Sequence, residues 1–155
     1  RLQADALPIQ IQPTDVEEVV ASALAHVPDQ RGRVDVDIAE IPAVSADPGL
    51  LERVIANLVT NALQHTPGQA EVRVRPDGEY VRLAIRDHGA GVPQDQHDRL
   101  FVPFQRGGDS DFDEGPGLGL ALSKGLTEAM GGTLEPQATP GGGLTMMVTL
   151  AVAQA

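Results

Sequence analysis

Residues 80–91 read YVRLAIRDHGAG, a strand whose pattern breaks at its last position. Alternate side chains of a strand share one face, so Val81, Leu83 and Ile85 form an apolar row. Asp87 continues that row where another apolar residue is expected. A carboxylate on the buried side of a sheet needs a partner. Gly89 and Gly91 follow at once, removing side chains so that a flat ligand or a tight turn can approach the backbone. An ionised Asp in such a place can accept a hydrogen bond from an exocyclic amino group such as that of adenine. An Asp at a strand end also starts turns, and these residues alone leave both readings open.

Working upstream, EVRVR (71–75) alternates in the same way, and the turn at Pro76, Asp77 and Gly78 predicts a hairpin between the two strands. Before it, Asp47 followed by Pro48 is an N-cap with proline at the first helical position. The helix it opens runs from Pro48 to about His65, with Leu51, Val54, Ile55, Leu58, Val59 and Ala62 as its apolar stripe. Asn57 and Asn61, four residues apart, lie about 40° from each other and roughly 100° from the stripe's centre. Gln64 and His65 extend this polar ridge. An Asn amide oxygen can occupy one corner of an octahedral Mg²⁺ site completed by phosphate and water; polar residues also simply flank apolar stripes. Further upstream, RVDVDI (33–38) predicts another strand, ended at Ile41 and Pro42. A first helix carries Val16, Val19, Val20, Ala23, Leu24 and Val27 on one face and closes at Pro28. Thr14 and Glu17 form a capping-box pattern for it, after a short strand in PIQIQPTD (8–15).

Downstream, residues 88–116 hold eight Gly and Pro residues with few periodic apolar positions, which predicts a long, mobile loop. Phe101 and Phe104 should anchor this loop to the core and make it a hinged lid. Arg106 beside them can reach a phosphate or remain a solvated charge. GPGLGL (115–120) closes the loop and opens a helix from Leu118 to about Met130. Gly115, Gly117 and Gly119 there would leave bare backbone N–H groups at the positive end of a helix dipole, suited to phosphate. No Gly-Lys-Ser/Thr follows, so the motif is not a Walker A loop. TLEPQ and LTMMVTLAV are two last strands around the turn at Gly141, Gly142 and Gly143. Strands and helices mix without strict alternation, which predicts an α+β two-layer sandwich: a mixed sheet with helices on one face.

The 155 residues and 41% apolar content fit one domain. With aromatics at 3%, its core must be built from Val, Leu, Ile and Ala. A net charge of −11 counts against nucleic acid or an anionic membrane surface as partner. The absence of cysteine excludes disulfides, Cys-ligated zinc and a thiol nucleophile. No apolar run approaches the ~18 residues of a membrane span. His26, His65, His88 and His97 are scattered without metal-ligand spacing.

In their order, LLERVIANLVTNALQHTP, DHGAG, FVPF and GPGLGLALSKG resemble the N, G1, F and G2 boxes of the histidine-kinase branch of the GHKL ATPase superfamily. The likeness runs from about Ala43 to Leu150. FQRGGD and LSKGLTEAMGGTLEPQATPGGGLTMMVTL look most like KdpD-type potassium-responsive kinases. The resemblance implies a Bergerat fold, a mixed five-stranded sheet with three helices on one face, holding ATP and Mg²⁺. It matches Asn61 to the Mg²⁺ ligand, Asn57 to its phosphate-side neighbour, and Asp87 to the adenine reader beside Gly89 and Gly91. Gly115, Gly117, Leu118, Gly119 and Leu120 match the phosphate loop, and His65, Phe104 and Arg106 positions near the nucleotide. Gln64 departs from the Lys or Arg common in the family, leaving Arg106 and Lys124 as nearby cations.

The activity implied is transfer of the γ-phosphoryl of ATP to a histidine on a separate dimerisation and phosphoacceptor domain, with a response regulator downstream. Residues 1–7 then resemble the tail of that acceptor hairpin, and residues 8–155 the ATP-binding domain. The domain would be monomeric, belong to the cytoplasmic side of a membrane-bound kinase, and not phosphorylate itself. Two rival readings are an anti-sigma-type serine-protein kinase and an ATP-sensing interaction module without transfer.

Overall fold

The hairpin read from residues 71–86 is the centre of the structure. In the computed structural model, which describes residues 8–27, 32–102 and 114–154, β4 (Ala70–Asp77) pairs antiparallel with β5 (Tyr80–Arg86). Gly78 takes a left-handed φ of 65° in their turn, a conformation glycine adopts without a Cβ clash. β2 (Val34–Ile38) lies parallel to β4, while β7 (Leu144–Ala151) and β6 (Thr133–Ala138) extend the other side antiparallel. The result is a mixed five-stranded sheet in the order β2-β4-β5-β7-β6.

Register places the apolar residues on one side of it. Val72 faces Ile85, Val74 faces Leu83, and Leu83 in turn faces Val148. These side chains share one core with α1 (Val16–Ala25), α2 (Pro48–Gln64) and α3 (Glu114–Ala129). Each fully buried Leu, Ile or Val stabilises the domain by about 1.5–3 kcal/mol, so the sheet and helices hold one another. Among the described residues, the expected two-layer α+β sandwich with three α-helices packed on one face of the sheet is the observed fold. The opposite face is charged: Arg73 pairs with Asp35 at 3.0 Å and Arg75 with Asp37 at 2.9 Å. Both pairs are partly exposed and contribute only ~0–1 kcal/mol each.

Four sequence expectations change. The cap of α1 is Asp15, whose Oδ1 accepts from the N–H groups of Glu17 and Glu18, and not Thr14. Thr14 is buried instead, its hydroxyl shared between the carbonyls of Gln12 and Ala46, each at 2.9 Å. That contact belongs to a second, two-stranded sheet in which β1 (Gln12–Thr14) pairs with β3 (Val44–Ala46). β3 was not expected, because three residues are too few to show a period. Within the segment read as loop, Gln94–Phe101 forms a 3-10 helix. Finally, α3 begins at Glu114 and not Leu118. Pro116 sits in its first turn, where the missing N–H is one of the four that have no intrahelical acceptor, so Gly-Pro-Gly can be helical there. Pro28 and residues 1–7 lie outside the described residues.

Candidate functional site

Two elements deliver the polar residues singled out from sequence. α2 is fixed at its start by Asp47, whose Oδ1 accepts from Gly49 and Leu50 N–H at 3.0 and 3.2 Å. Its stripe is buried as read, and one turn separates Asn57 from Asn61 on the flank. Asn61 is 7% exposed, and its Oδ1 is buried with no hydrogen-bond partner among the described residues. An acceptor buried without a partner costs about 1–3 kcal/mol. Asn57 is only half-buried and is turned toward α3, donating from Nδ2 to Ser123 Oγ at 3.4 Å.

β5 delivers Asp87, which is 3% exposed. Its Oδ1 accepts two backbone N–H groups, from Gly89 and from Leu144, both at 3.0 Å. The first is the Asx turn that a bare Asp-Gly signal implies. The second comes from across the sheet. Oδ2 makes no hydrogen bond within the described residues, so the carboxylate is anchored by one oxygen and available through the other.

Gly89 has a steric reason: a Cβ there would overlap the carbonyl of His65 at the end of α2. Gly91 takes φ 79°, with the carbonyl of Gly143 3.3 Å from where its Cβ would be. The glycines thus bring the α2 terminus, the turn after β5 and the turn before β7 into backbone contact.

These elements enclose a cavity of about 520 Å³, within the size range of small-molecule sites. Of the residues named from sequence, Asn61, Gln64, His65, Asp87, Gly91 and Leu120 line it. Asn57 and Gly89 do not line it; Gly89 holds Asp87, which does, and Asn57 ties α2 to Ser123 of α3. Gly119 is in the second turn of α3 with open space around its Cβ position, so packing does not impose glycine there. Gly115, Gly117 and Leu118 lie in the first turns of α3, where only the backbone is described. Phe104 and Arg106 fall outside the described residues. Lys124 is turned elsewhere, 3.1 Å from Glu128 and 5.0 Å from the centroid of Phe101.

Thr66, Pro67, Ala90, Val92, Leu100 and Leu144, which no local sequence pattern singles out, make up the rest of the lining among the described residues. Leu144 was legible only as a strand residue, and its role comes from a pairing 57 residues distant. Gly143 was read as part of a hairpin turn. It takes φ 110°, and a Cβ on it would overlap the Asp87 carbonyl. His97 is a packing residue, its Nε2 3.0 Å from the Val92 carbonyl.

Comparison with known proteins places this geometry. Residues 46–154 match the family described as "Histidine kinase-, DNA gyrase B-, and HSP90-like ATPase". The chain is 50% identical, over its whole length, to the sensor protein KdpD of Rathayibacter rathayi, of which it spans 18%. Full-length ShkA solved in complex with AMPPNP superposes with a TM-score of 0.78 at 28% identity, covering 97% of this chain and 33% of ShkA. The mycobacterial sensor histidine kinase MprB gives 0.74 at 27% identity, covering 92% of this chain and 97% of that one.

Proposed function

The chain belongs to the histidine kinase-, DNA gyrase B- and HSP90-like ATPase family, and from that premise we propose that it is the nucleotide-holding half of a two-component sensor kinase. It binds Mg-ATP and presents the γ-phosphoryl to a histidine on a separate dimerisation domain, from which a response regulator is served. The domain would be monomeric and act on the cytoplasmic side of its membrane. The likeness to KdpD sensor proteins favours this reading, although the chain spans only 18% of those proteins.

The observation that carries it is one cavity lined by both Asp87 and Asn61, each with a side-chain oxygen that makes no hydrogen bond among the described residues. Asp87 Oδ2, held in place through Oδ1, suits the exocyclic amino group of adenine. Gly91, Val92, Leu100 and Leu120 supply backbone and apolar walls for a flat base. Asn61 Oδ1, buried and unpartnered, fits an oxygen ligand for Mg²⁺. When bound, that ion would neutralise charge on the phosphates. The first turn of α3 would add free N–H groups toward the same phosphates, with Gly115, Gly117 and Gly119 keeping side chains away. His65 at the rim and Asn57 one turn before Asn61 complete the assignment among the described residues, and the family resemblance would add Phe104 and Arg106.

Chemically, this domain needs no general base. A neutral imidazole already carries a nucleophilic lone pair, so the task is to align and neutralise the transferring group. The test mixes the chain with a histidine-bearing acceptor hairpin from a kinase of this family and γ-labelled ATP. Acid-labile, base-stable label on the hairpin is the expected result. Binding of ATP with no transfer to any such hairpin would instead mark an ATP-sensing module, and transfer to serine an anti-sigma-type kinase.

A further inference from the structure

The last turn of an α-helix leaves carbonyl groups without intrahelical donors, at the negative end of the helix dipole. In α2 that turn runs straight into the rim of the cavity, for Gln64, His65, Thr66 and Pro67 all line it. The His65 N–H folds back onto the Ala62 carbonyl at 3.1 Å. Further carbonyls are met from outside the helix, and by a single side chain.

Arg33, just before β2, donates from Nη2 to the Thr66 carbonyl at 2.7 Å and to the Leu63 carbonyl at 3.3 Å. Its Nε donates to the Gly68 carbonyl at 3.3 Å. Backbone pairing continues the seam: Ala70 N–H donates to the Arg33 carbonyl at 2.8 Å, and Gln69 Nε2 to the Gly32 carbonyl at 3.1 Å. The planar fork of a guanidinium serves several carbonyls at once from a fixed geometry, whereas an ammonium presents its three donors from a single point on a flexible stem. Arg73, Arg75 and Arg82 are each paired with a carboxylate, whereas Arg33 makes no ion pair among the described residues. Its Nε and Nη2 donors go to backbone carbonyls at and beside the rim.

That rim is a wall shared by two parts of the site. The His65 carbonyl abuts Gly89, and Gly89 N–H is bonded to Asp87 Oδ1. A shift of residues 65–67 therefore moves the cavity mouth and disturbs the turn that holds the carboxylate. We propose that Arg33 is a positioning residue for the nucleotide, clamping the carbonyls at the end of α2 so that the rim and the Asp87 turn keep their spacing. The inference rests on the nucleotide reading of the cavity given above.

The test is equilibrium binding of MgATP to the whole chain and to three variants. Arg33→Met removes the clamp, and Arg33→Lys restores part of it. Arg75→Met removes a guanidinium that holds the Asp37 and Val74 carbonyls and the Asp37 carboxylate, on the far face of the sheet. Arg33→Met should bind MgATP roughly tenfold more weakly, Arg33→Lys should fall between it and the unsubstituted chain, and Arg75→Met should bind as the unsubstituted chain does. Equal affinity for Arg33→Met and the unsubstituted chain overturns the inference, as does an equal loss in Arg75→Met. If Arg33→Met does not fold, Arg33→Lys against Arg75→Met decides in the same way: weaker binding by Arg33→Lys supports the clamp, and equal binding refutes it. If the unsubstituted chain binds no MgATP, the nucleotide reading fails first and takes the clamp with it.

Discussion

Asp87 and Leu144 are bonded in both directions: the Leu144 N–H donates to Asp87 Oδ1 at 3.0 Å, and the Asp87 N–H donates to the Leu144 carbonyl at 2.9 Å. The buried carboxylate is therefore aimed by the start of β7 as much as by its own strand. Two backbone donors fix one oxygen, and the other makes no hydrogen bond among the described residues. The arrangement depends on the neighbouring backbone coming very close, which makes it sensitive to single methyl groups.

Gly143→Ala is the sharpest such change. The new Cβ would overlap the Asp87 carbonyl in a residue held at φ 110°. Strain and overpacking together should cost about 2–4 kcal/mol, with nucleotide binding lost in whatever fraction folds. Gly89→Ala, against the His65 carbonyl, should behave likewise. Denaturant titration checks both, and a change within ~0.5 kcal/mol would mean that the three segments do not meet as described.

Asn61→Leu separates stability from metal use. Replacing a buried, unpartnered amide oxygen by an apolar group should leave the ligand-free domain as stable or raise it by about 1 kcal/mol. The same change should abolish the Mg²⁺ dependence of ATP binding. Melting curves without ligand and binding curves with and without Mg²⁺ measure the two effects, and an undiminished Mg²⁺ dependence would remove Asn61 from the metal.

Asp47→Ala tests the opposite end of the same helix. It deletes acceptors for Gly49, Leu50 and Gln10 N–H groups and should cost roughly 1–2 kcal/mol. Because the cavity lies at the other terminus of α2, nucleotide affinity should stay within about twofold. A large loss of affinity would show that the helix transmits disorder along its length.

Much of this was legible because local chemistry and tertiary role coincide. The Asp47-Pro48 start of α2, its apolar stripe and the parity of Asp87 are each written within a few residues. What escaped is set by contacts distant in sequence. Leu144 and Gly143 acquire their roles only when β7 lies beside β5, and Arg33 only when β2 lies beside the end of α2. Thr14 was mistaken for a cap because its neighbour Asp15 offers the same chemistry one residue later, and the hydroxyl is claimed by β3. Helical Gly-Pro-Gly at the start of α3 defies the usual reading of those residues as loop, since only a first turn tolerates proline in this way.

The most direct test of the account compares MgATP and MgGTP binding to the unsubstituted chain and to Asp87→Asn. An Asn oxygen can still accept the Gly89 and Leu144 N–H groups, so the fold should persist with a melting temperature within a few degrees. Its amide nitrogen, however, would face the adenine amino group donor to donor. The unsubstituted chain should prefer ATP to GTP by about 100-fold or more, and Asp87→Asn should lose most of its ATP affinity while remaining folded. Equal binding of ATP by the folded variant and the unsubstituted chain would contradict it.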